Sequence, residues 1–225
     1  MDKRNDKKIV DSWRKNASPW VVAVQEKQIE SRRLITDQAI VDVFKSISAE
    51  SVLDIGCGEG WLMRMLSSLG MSVTGLDVVP ELLDEAEKRG GGEFLEMAYE
   101  EISSTRITNK FDAAVCNFSL LGKESVEHIF NVLPGILNEG GYFIVQTLHP
   151  IIGCEPHGYK DAWREGSWAG FSEDFCDPPP WYFRTMTSWF RLFRDYGYEL
   201  IEIREPINPQ TGVVASLIMI ARVNT

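Results

Sequence analysis

Apolar positions recur at helical spacing through residues 20–47, where Ile29, Ile35, Ala39, Ile40, Val43, Phe44 and Ile47 mark an amphipathic N-terminal helical region. A short apolar strand follows at 51–55. A helix is predicted at 60–69, with Leu62, Met65, Leu66 and Leu69 on one face and Gly70 as its stop. The alternation continues with a strand at 72–77, a helix at about 80–88, a strand at 93–97 and a short helix near Glu100. A strand at 111–117, a helix at about 125–137 and, after Gly140-Gly141, a strand at 142–148 complete the run. Several of these strands are apolar throughout, so both of their faces are expected to be buried. The pattern predicts an α/β fold: a doubly wound, mostly parallel sheet with helices on both faces.

The alternation breaks over 149–182. Pro150, Pro156, Pro178, Pro179 and Pro180 are interleaved there with Trp163, Trp168, Phe171, Phe175, Trp181 and Tyr182. A connection this long and aromatic is expected to form a lid or binding wall inserted after the fifth strand. A helix at 187–195, ended by Gly197, leads to two last strands at 198–204 and 213–222, separated by the turn-rich 205–212 and making seven strands in all. The expected organisation is one domain: a helical cap at 1–47, a core at 48–148, a lid at 149–186, and the final helix and strands at 187–225.

Composition narrows the partners more than the fold. With 225 residues, 44% of them hydrophobic and 25% charged, the chain is ordinary globular material. A net charge of -10 and a pI near 4.9 repel a phosphate backbone, so nucleic acid is not an expected partner. The basic cluster Lys3, Arg4, Lys7 and Lys8 reads as a solvated, partly disordered leader. No apolar run approaches the roughly 20 residues that cross a bilayer. The first ten residues lack the apolar stretch of a secretory signal, so a cytoplasmic protein without a membrane span is expected. Cys57, Cys116, Cys154 and Cys176 form no CxxC pair and are expected to be free thiols. Cys154 and His157 have ligand-like spacing, but with His149 and Cys176 they match no compact zinc motif, and no metal site is expected.

The candidate chemistry begins where the first strand opens through Gly56-Cys57-Gly58-Glu59-Gly60 into a helix. Glycine has no Cβ, so backbone amides and a helix N-terminus approach a polar ligand closely at such a turn. Alone, the loop fits three ligand classes. A P-loop requires Gly-Lys-Ser/Thr, whereas Gly60 is followed by Trp61-Leu62-Met63 and offers phosphate neither lysine nor hydroxyl. A dinucleotide loop would set Asp54 and Glu59 against a pyrophosphate, which they repel. The two acids suit a phosphate-free cofactor that carries an amino group and a sulfonium. Gly75-Leu76-Asp77 then ends the second strand, 23 positions after Asp54, where an acid accepts hydrogen bonds from both hydroxyls of a ribose.

On these residues the chain resembles the class I S-adenosylmethionine-dependent methyltransferase family. Leu53 to Gly60 match its first motif, and Asp77 its ribose acid. Residues 111–117 are similar to its fourth strand and 133–143 to its helix-to-fifth-strand segment, so the resemblance runs through about 48–148 and extends to the last two strands. It implies a Rossmann-like methyltransferase fold with S-adenosylmethionine as cofactor and S-adenosylhomocysteine as product. Gly56, Cys57, Gly58 and Gly60 would meet the methionine part, Asp77 the ribose, and Val78 the adenine. Ala98 stands where family members often place an adenine-binding Asp, leaving backbone groups around Ala98 and Tyr99 for that contact.

In an open α/β sheet the ligand lies beyond the carboxyl ends of the strands, which brings Asn117, Phe118 and Ser119 after the fourth strand and His149 after the fifth near the transferred methyl. His149 is the candidate general base, since imidazole titrates near neutrality; the alternative is a histidine packed on Pro150 that orients the lid. His128 is expected at the surface. Arg32 and Arg33 either pair with the cofactor carboxylate or face solvent. Trp13, Trp20, Trp181 and Tyr182, with Trp163 and Trp168, are candidate walls of an apolar acceptor pocket. Residues 187–193, Gly197-Tyr198 and Glu205-Pro206 look like small-molecule methyltransferases, including those acting on benzoquinol intermediates. O-methylation of a hydroxylated aromatic or lipophilic small molecule is therefore the expected activity. Aminopropyl transfer on the same fold, a non-catalytic S-adenosylmethionine-binding module and a nicotinamide oxidoreductase are the alternatives.

Overall fold

The computed structural model describes residues 5–223. Its main sheet contains β1 (Ser51–Ile55), β2 (Ser72–Asp77), β3 (Glu93–Glu96), β4 (Phe111–Asn117), β5 (Leu137–Thr147), β8 (Tyr198–Arg204) and β9 (Leu217–Val223). The order is β3-β2-β1-β4-β5-β9-β8, with β9 antiparallel to both neighbours and the other pairings parallel. This is the predicted seven-stranded, doubly wound sheet.

Alternation of side chains along each strand divides the core into two layers. On one face Ile40, Val43 and Phe44 of α2 (Asp37–Ser46) and Leu62 and Leu66 of α3 (Trp61–Ser68) pack on Val52, Val115, Ile144 and Ile220. On the other, Ile129 and Phe130 of α5 (Glu124–Val132) and Trp189 and Phe193 of α7 (Met186–Asp195) pack on Leu53, Ala114, Phe143 and Met219. The β2 to β3 crossover is α4 (Pro80–Arg89), with Pro80 in its first turn, where a missing N–H costs nothing. Because β1 sits between β2 and β4, the loops leaving β1 and β4 diverge at its carboxyl end and open a crevice there.

Four expectations are corrected. Lys7 and Lys8 are not in a disordered leader but in the first turn of α1 (Asp6–Gln25), capped by the Asn5 side chain; Lys3 and Arg4 lie outside the described residues. The inward stripe of α1 includes Ser12 and Asn16 beside Ile9, Ala17, Val21 and Ala23, so an apolar pattern alone does not reveal it. The N-terminal helical region is interrupted: a π-helical turn, Arg32–Thr36, leads into α2. The 125–137 helix stops at Val132, where Pro134 turns the chain, and β5 starts at Leu137 instead of 142; the last strand starts at Leu217, Val214 making only a bridge to Ile207. Finally, the connection read as a break in the alternation over 149–182 has secondary structure of its own. It contains α6 (Pro150–Gly153) and a two-stranded sheet of β6 (Ala162–Arg164) and β7 (Trp181–Phe183), in which Trp163 pairs with Tyr182.

Among the described residues no helix is long and apolar enough to cross a membrane, and no group of His, Cys, Asp and Glu is arranged to hold a metal. All four cysteines are free thiols.

Candidate functional site

Gly56, Gly58 and Gly60 all take positive φ (77°, 58° and 77°), so the turn after β1 demands glycine at each. A Cβ on Gly56 would lie 2.5 Å from the Cβ of Ser119, whereas one on Gly58 would meet nothing nearer than the Trp20 indole nitrogen at 3.8 Å. Gly56 is thus pinned beneath the β4 loop, while Gly58 faces open space. The amides of Gly56 and Cys57 donate to the Leu76 carbonyl at 2.7 and 2.9 Å, and the Gly58 amide donates to Asp77 Oδ2 at 2.9 Å. Asp77 Oδ1 accepts from the Val79 amide at 3.0 Å. One carboxylate therefore ties the glycine loop to the end of β2, and each of its oxygens keeps a further lone pair.

The two acids of the loop have opposite surroundings. Glu59 is buried, but Arg64 one turn into α3 meets Oε2 at 2.6 Å and donates to the Glu59 carbonyl at 2.7 Å. Its Oε2 is met by Arg64, while Oε1 is buried without a hydrogen-bond partner among the described residues. Asp54, 2% exposed, has no side-chain hydrogen bond among the described residues. Burial, reinforced by the nearby Asp77, pushes its carboxyl up to about 8. Asp77 is also raised by burial, but its backbone amide donors oppose the rise.

The loop after β4 is the junction of the site. Phe118 is a non-glycine residue with φ 54°, held by its amide to the Gln146 carbonyl at 2.8 Å. Ser119 Oγ donates to the Ile55 carbonyl at 2.7 Å, and Tyr99 OH donates to the Ser119 carbonyl at 3.3 Å. Ser119 thus braces the glycine turn, with its hydroxyl committed to backbone. Further along, Asp6 of α1 accepts from the amides of Lys123 and Ser125, at 2.9 and 2.6 Å, and so caps α5 from a distant part of the chain. Arg184 donates to the carbonyls of Gly122 and Lys123, and the Tyr182 amide to that of Leu121. Burial pulls the Arg184 guanidinium down to about 10, still charged at neutral pH. Asp6 and Arg184 are functional-site supports that local sequence did not reveal.

The aromatic residues form two groups. Trp13 and Trp20 meet edge to face at 5.0 Å, and Trp168 and Phe171 join them at 5.7 and 6.4 Å. This group is zipped by Asn16, which exchanges hydrogen bonds with the Cys176 backbone, and by the Ser12 hydroxyl, which donates to the Asp177 carbonyl. The second group lies on the small sheet, with Trp163 against Tyr182, Trp181 against Phe183, and Arg184 over Tyr182. Trp13 and Trp20 are not brought against Trp181 and Tyr182.

His149 is 1% exposed, and both of its ring nitrogens are engaged. Nδ1 accepts from the Ile151 amide at 3.2 Å, capping α6, and Nε2 lies 2.7 Å from Glu205 Oε1. His128 is half-buried, with Nε2 3.0 Å from the Ile102 carbonyl. Arg32 pairs with Asp37 at 2.9 Å and stacks over Trp61 and Trp20, while Arg33 is exposed. Val78 and Ala98 follow the carboxyl ends of β2 and β3, beside Tyr99. A groove of about 340 Å³ at the opposite ends of the strands, lined by Ser51, Ser72 and Lys110, holds none of the candidate residues.

Residues 52–141 match a family model described as a methyltransferase domain. A ubiquinone biosynthesis O-methyltransferase of Xanthomonas oryzae is 30% identical over 137 residues, covering 51% of this chain and 57% of its own. An uncharacterized methyltransferase of Mycobacterium tuberculosis is 28% identical over 131 residues, 58% of this chain and 64% of its own. The chain thus spans less than two thirds of the length of these curated relatives. An S-adenosylmethionine-dependent methyltransferase of Mesorhizobium loti shares the fold with a TM-score of 0.63 at 20% identity, covering 80% of this chain and 96% of that one. The 1,6-didemethyltoxoflavin-N1-methyltransferase of Burkholderia thailandensis, solved with 1,6-didemethyltoxoflavin and S-adenosylhomocysteine, gives 0.62 at 18%, covering 94% and 88%.

Proposed function

We propose that the chain is a class I S-adenosylmethionine-dependent methyltransferase, a reading supported by the methyltransferase-domain match over residues 52–141, and that it transfers a methyl group from S-adenosylmethionine to a small-molecule acceptor. The observation that carries this reading is the Asp54 and Asp77 pair at the open Gly58 turn. Asp77 keeps lone pairs for two ribose hydroxyls, and Asp54, buried without a hydrogen bond, suits an ammonium. Arg32 Nη2 is buried without a partner and suits the cofactor carboxylate. The backbone around Ala98 and Tyr99 is assigned to the adenine, with Val78 beside it.

When bound, the cofactor supplies an activated methyl on sulfonium. The residues of the chain have to align an acceptor with that methyl and exclude water. We assign alignment to Asn117 and Phe118 at the strained end of β4. Exclusion of water falls to the Trp13, Trp20, Trp168 and Phe171 wall and to the 149–186 segment acting as a lid, with Trp181 and Tyr182 on its acceptor side. Apolar aromatic walls favour a hydroxylated aromatic or lipophilic acceptor and O-methylation, as the name of the Xanthomonas relative suggests for that protein. Incubation with S-adenosylmethionine and catechol, followed by mass spectrometry, should show a product heavier by one methyl group. An added aminopropyl group, or cofactor binding without turnover across hydroxyl, amine and thiol acceptors, would replace this reading with one of its alternatives.

With both nitrogens engaged, His149 is a positioning residue that joins α6 to Glu205. His149→Gln is expected to keep methyl transfer within a few-fold and to leave its pH profile unchanged. A general base would instead cost about 10²- to 10⁴-fold and remove a titration from the profile.

A further inference from the structure

Buried polar atoms without partners are rare and costly in folded proteins, so several in one wall mark a place built for a ligand. Among the described residues seven side-chain atoms are of this kind, on Gln25, Arg32, Glu59 and Arg164 and, grouped on one face, Thr36 Oγ1, Asn117 Oδ1 and Gln146 Oε1. Thr36 and Gln146 are each at most 1% exposed. All three belong to one place. Asn117 and Gln146 are register partners on β4 and β5, two residues beyond Val115 and Ile144, and so share the face covered by α2. Gln146 Nε2 donates to the Thr36 carbonyl at 3.2 Å and to Ser216 Oγ at 3.0 Å, which ties Thr36 to the same spot.

The π-helical turn explains why the threonine is left over. A helical threonine ordinarily bonds a carbonyl one turn back. Here the wider turn gives the Arg32 carbonyl to the Asp37 amide five residues on, and the Thr36 hydroxyl finds no partner. π-turns of this kind concentrate at functional sites. The amide of Gln146 cannot be flipped to remove its orphan, because Oε1 would then face the Thr36 carbonyl.

We propose that Thr36, Asn117 and Gln146 form the acceptor subsite, and that it takes a neutral ring carrying adjacent O–H or N–H donors. This rests on the methyltransferase reading and names its substrate class. The Gln146 oxygen, whose assignment its two donated hydrogen bonds fix, offers only lone pairs, so it binds a donor and repels carboxylate or phosphate. No charged side chain completes the trio; Arg32, on the same turn, lies over Trp20 and Trp61 and joins the subsite to the aromatic wall.

The test uses thermal shift on the 225-residue chain saturated with S-adenosylhomocysteine, with catechol and o-phenylenediamine as neutral donor rings and benzoate as an anionic ring without donors. The wild type should be stabilised by a donor ring and not by benzoate. Thr36→Val and Gln146→Met should bind S-adenosylhomocysteine as the wild type does, which also shows that they fold, yet lose the response to the donor ring. Equal responses in wild type and variants, stabilisation by benzoate, or no response of the wild type to either donor ring overturns the subsite. Should the wild type fail to bind S-adenosylhomocysteine, the failure lies with the methyltransferase reading instead.

Discussion

Asp77→Ala is expected to weaken S-adenosylhomocysteine binding by at least about a hundredfold while leaving the protein folded. Hydrogen bonds to a charged group contribute about 1.5–3 kcal/mol each, and two ribose hydroxyls on one carboxylate exceed the roughly 1.4 kcal/mol that corresponds to a tenfold change. The same substitution releases the Gly58 and Val79 amides, which loosens the glycine loop and adds to the loss. The sheet itself is not at risk, since Asp77 is the last residue of β2 and its backbone pairing with Glu96 is independent of the side chain. Isothermal titration calorimetry reads the affinity and circular dichroism the fold. An unchanged affinity in a folded variant would remove Asp77 from the site.

Asp54→Asn should act in opposite directions on the free protein and on the complex. The ordinary carboxyl value of 3.8 holds in the unfolded chain, while burial raises the folded value to about 8. Between those values the folded state holds a proton that the unfolded state has released. Stability conferred by the protonated form is therefore present at low pH, declines as pH rises through this window, and is gone above about 8. At pH 7 the wild type forgoes on the order of 4 kcal/mol that an uncharged side chain retains. For a chain of this size that corresponds to a Tm gain of roughly 8–16 °C in the Asn variant near neutrality, shrinking toward pH 5. Thermal melts across that range check the trend; a gap independent of pH would show that Asp54 is not the titrating group. Binding should move the other way, because the variant has no charge to set against the cofactor ammonium, and an affinity lower by at least about tenfold is expected. Stability held back at a binding site is the general form of this opposition.

The alternation of strands and helices and the glycine turn were legible because they are local. Val52 to Ile55, Ala113 to Cys116 and Phe143 to Val145 announce buried strands by their own composition, and the left-handed conformations at Gly56, Gly58 and Gly60 are required by a turn that those glycines alone permit. The first helix was illegible for an equally concrete reason. Its inward face is built partly from Ser12 and Asn16, whose partners Cys176 and Asp177 stand about 160 positions away. A polar residue reads as exposed until the segment that satisfies it is known.

Asp54 and Glu59 show where that boundary falls. The residues alone placed one acid before a glycine turn, a second inside it and a third at the end of the next strand, and with the alternation of strands and helices they carried the fold class. Only the folded chain decided that Arg64 pairs with Glu59 while Asp54 is left without a hydrogen bond, that Asp6 and Arg184 hold the β4 loop, and that both nitrogens of His149 are taken. Composition and spacing report burial and turn geometry, which neighbouring residues determine. The partner of a polar group depends on which distant segment closes over it, and so does the difference between a brace and a site.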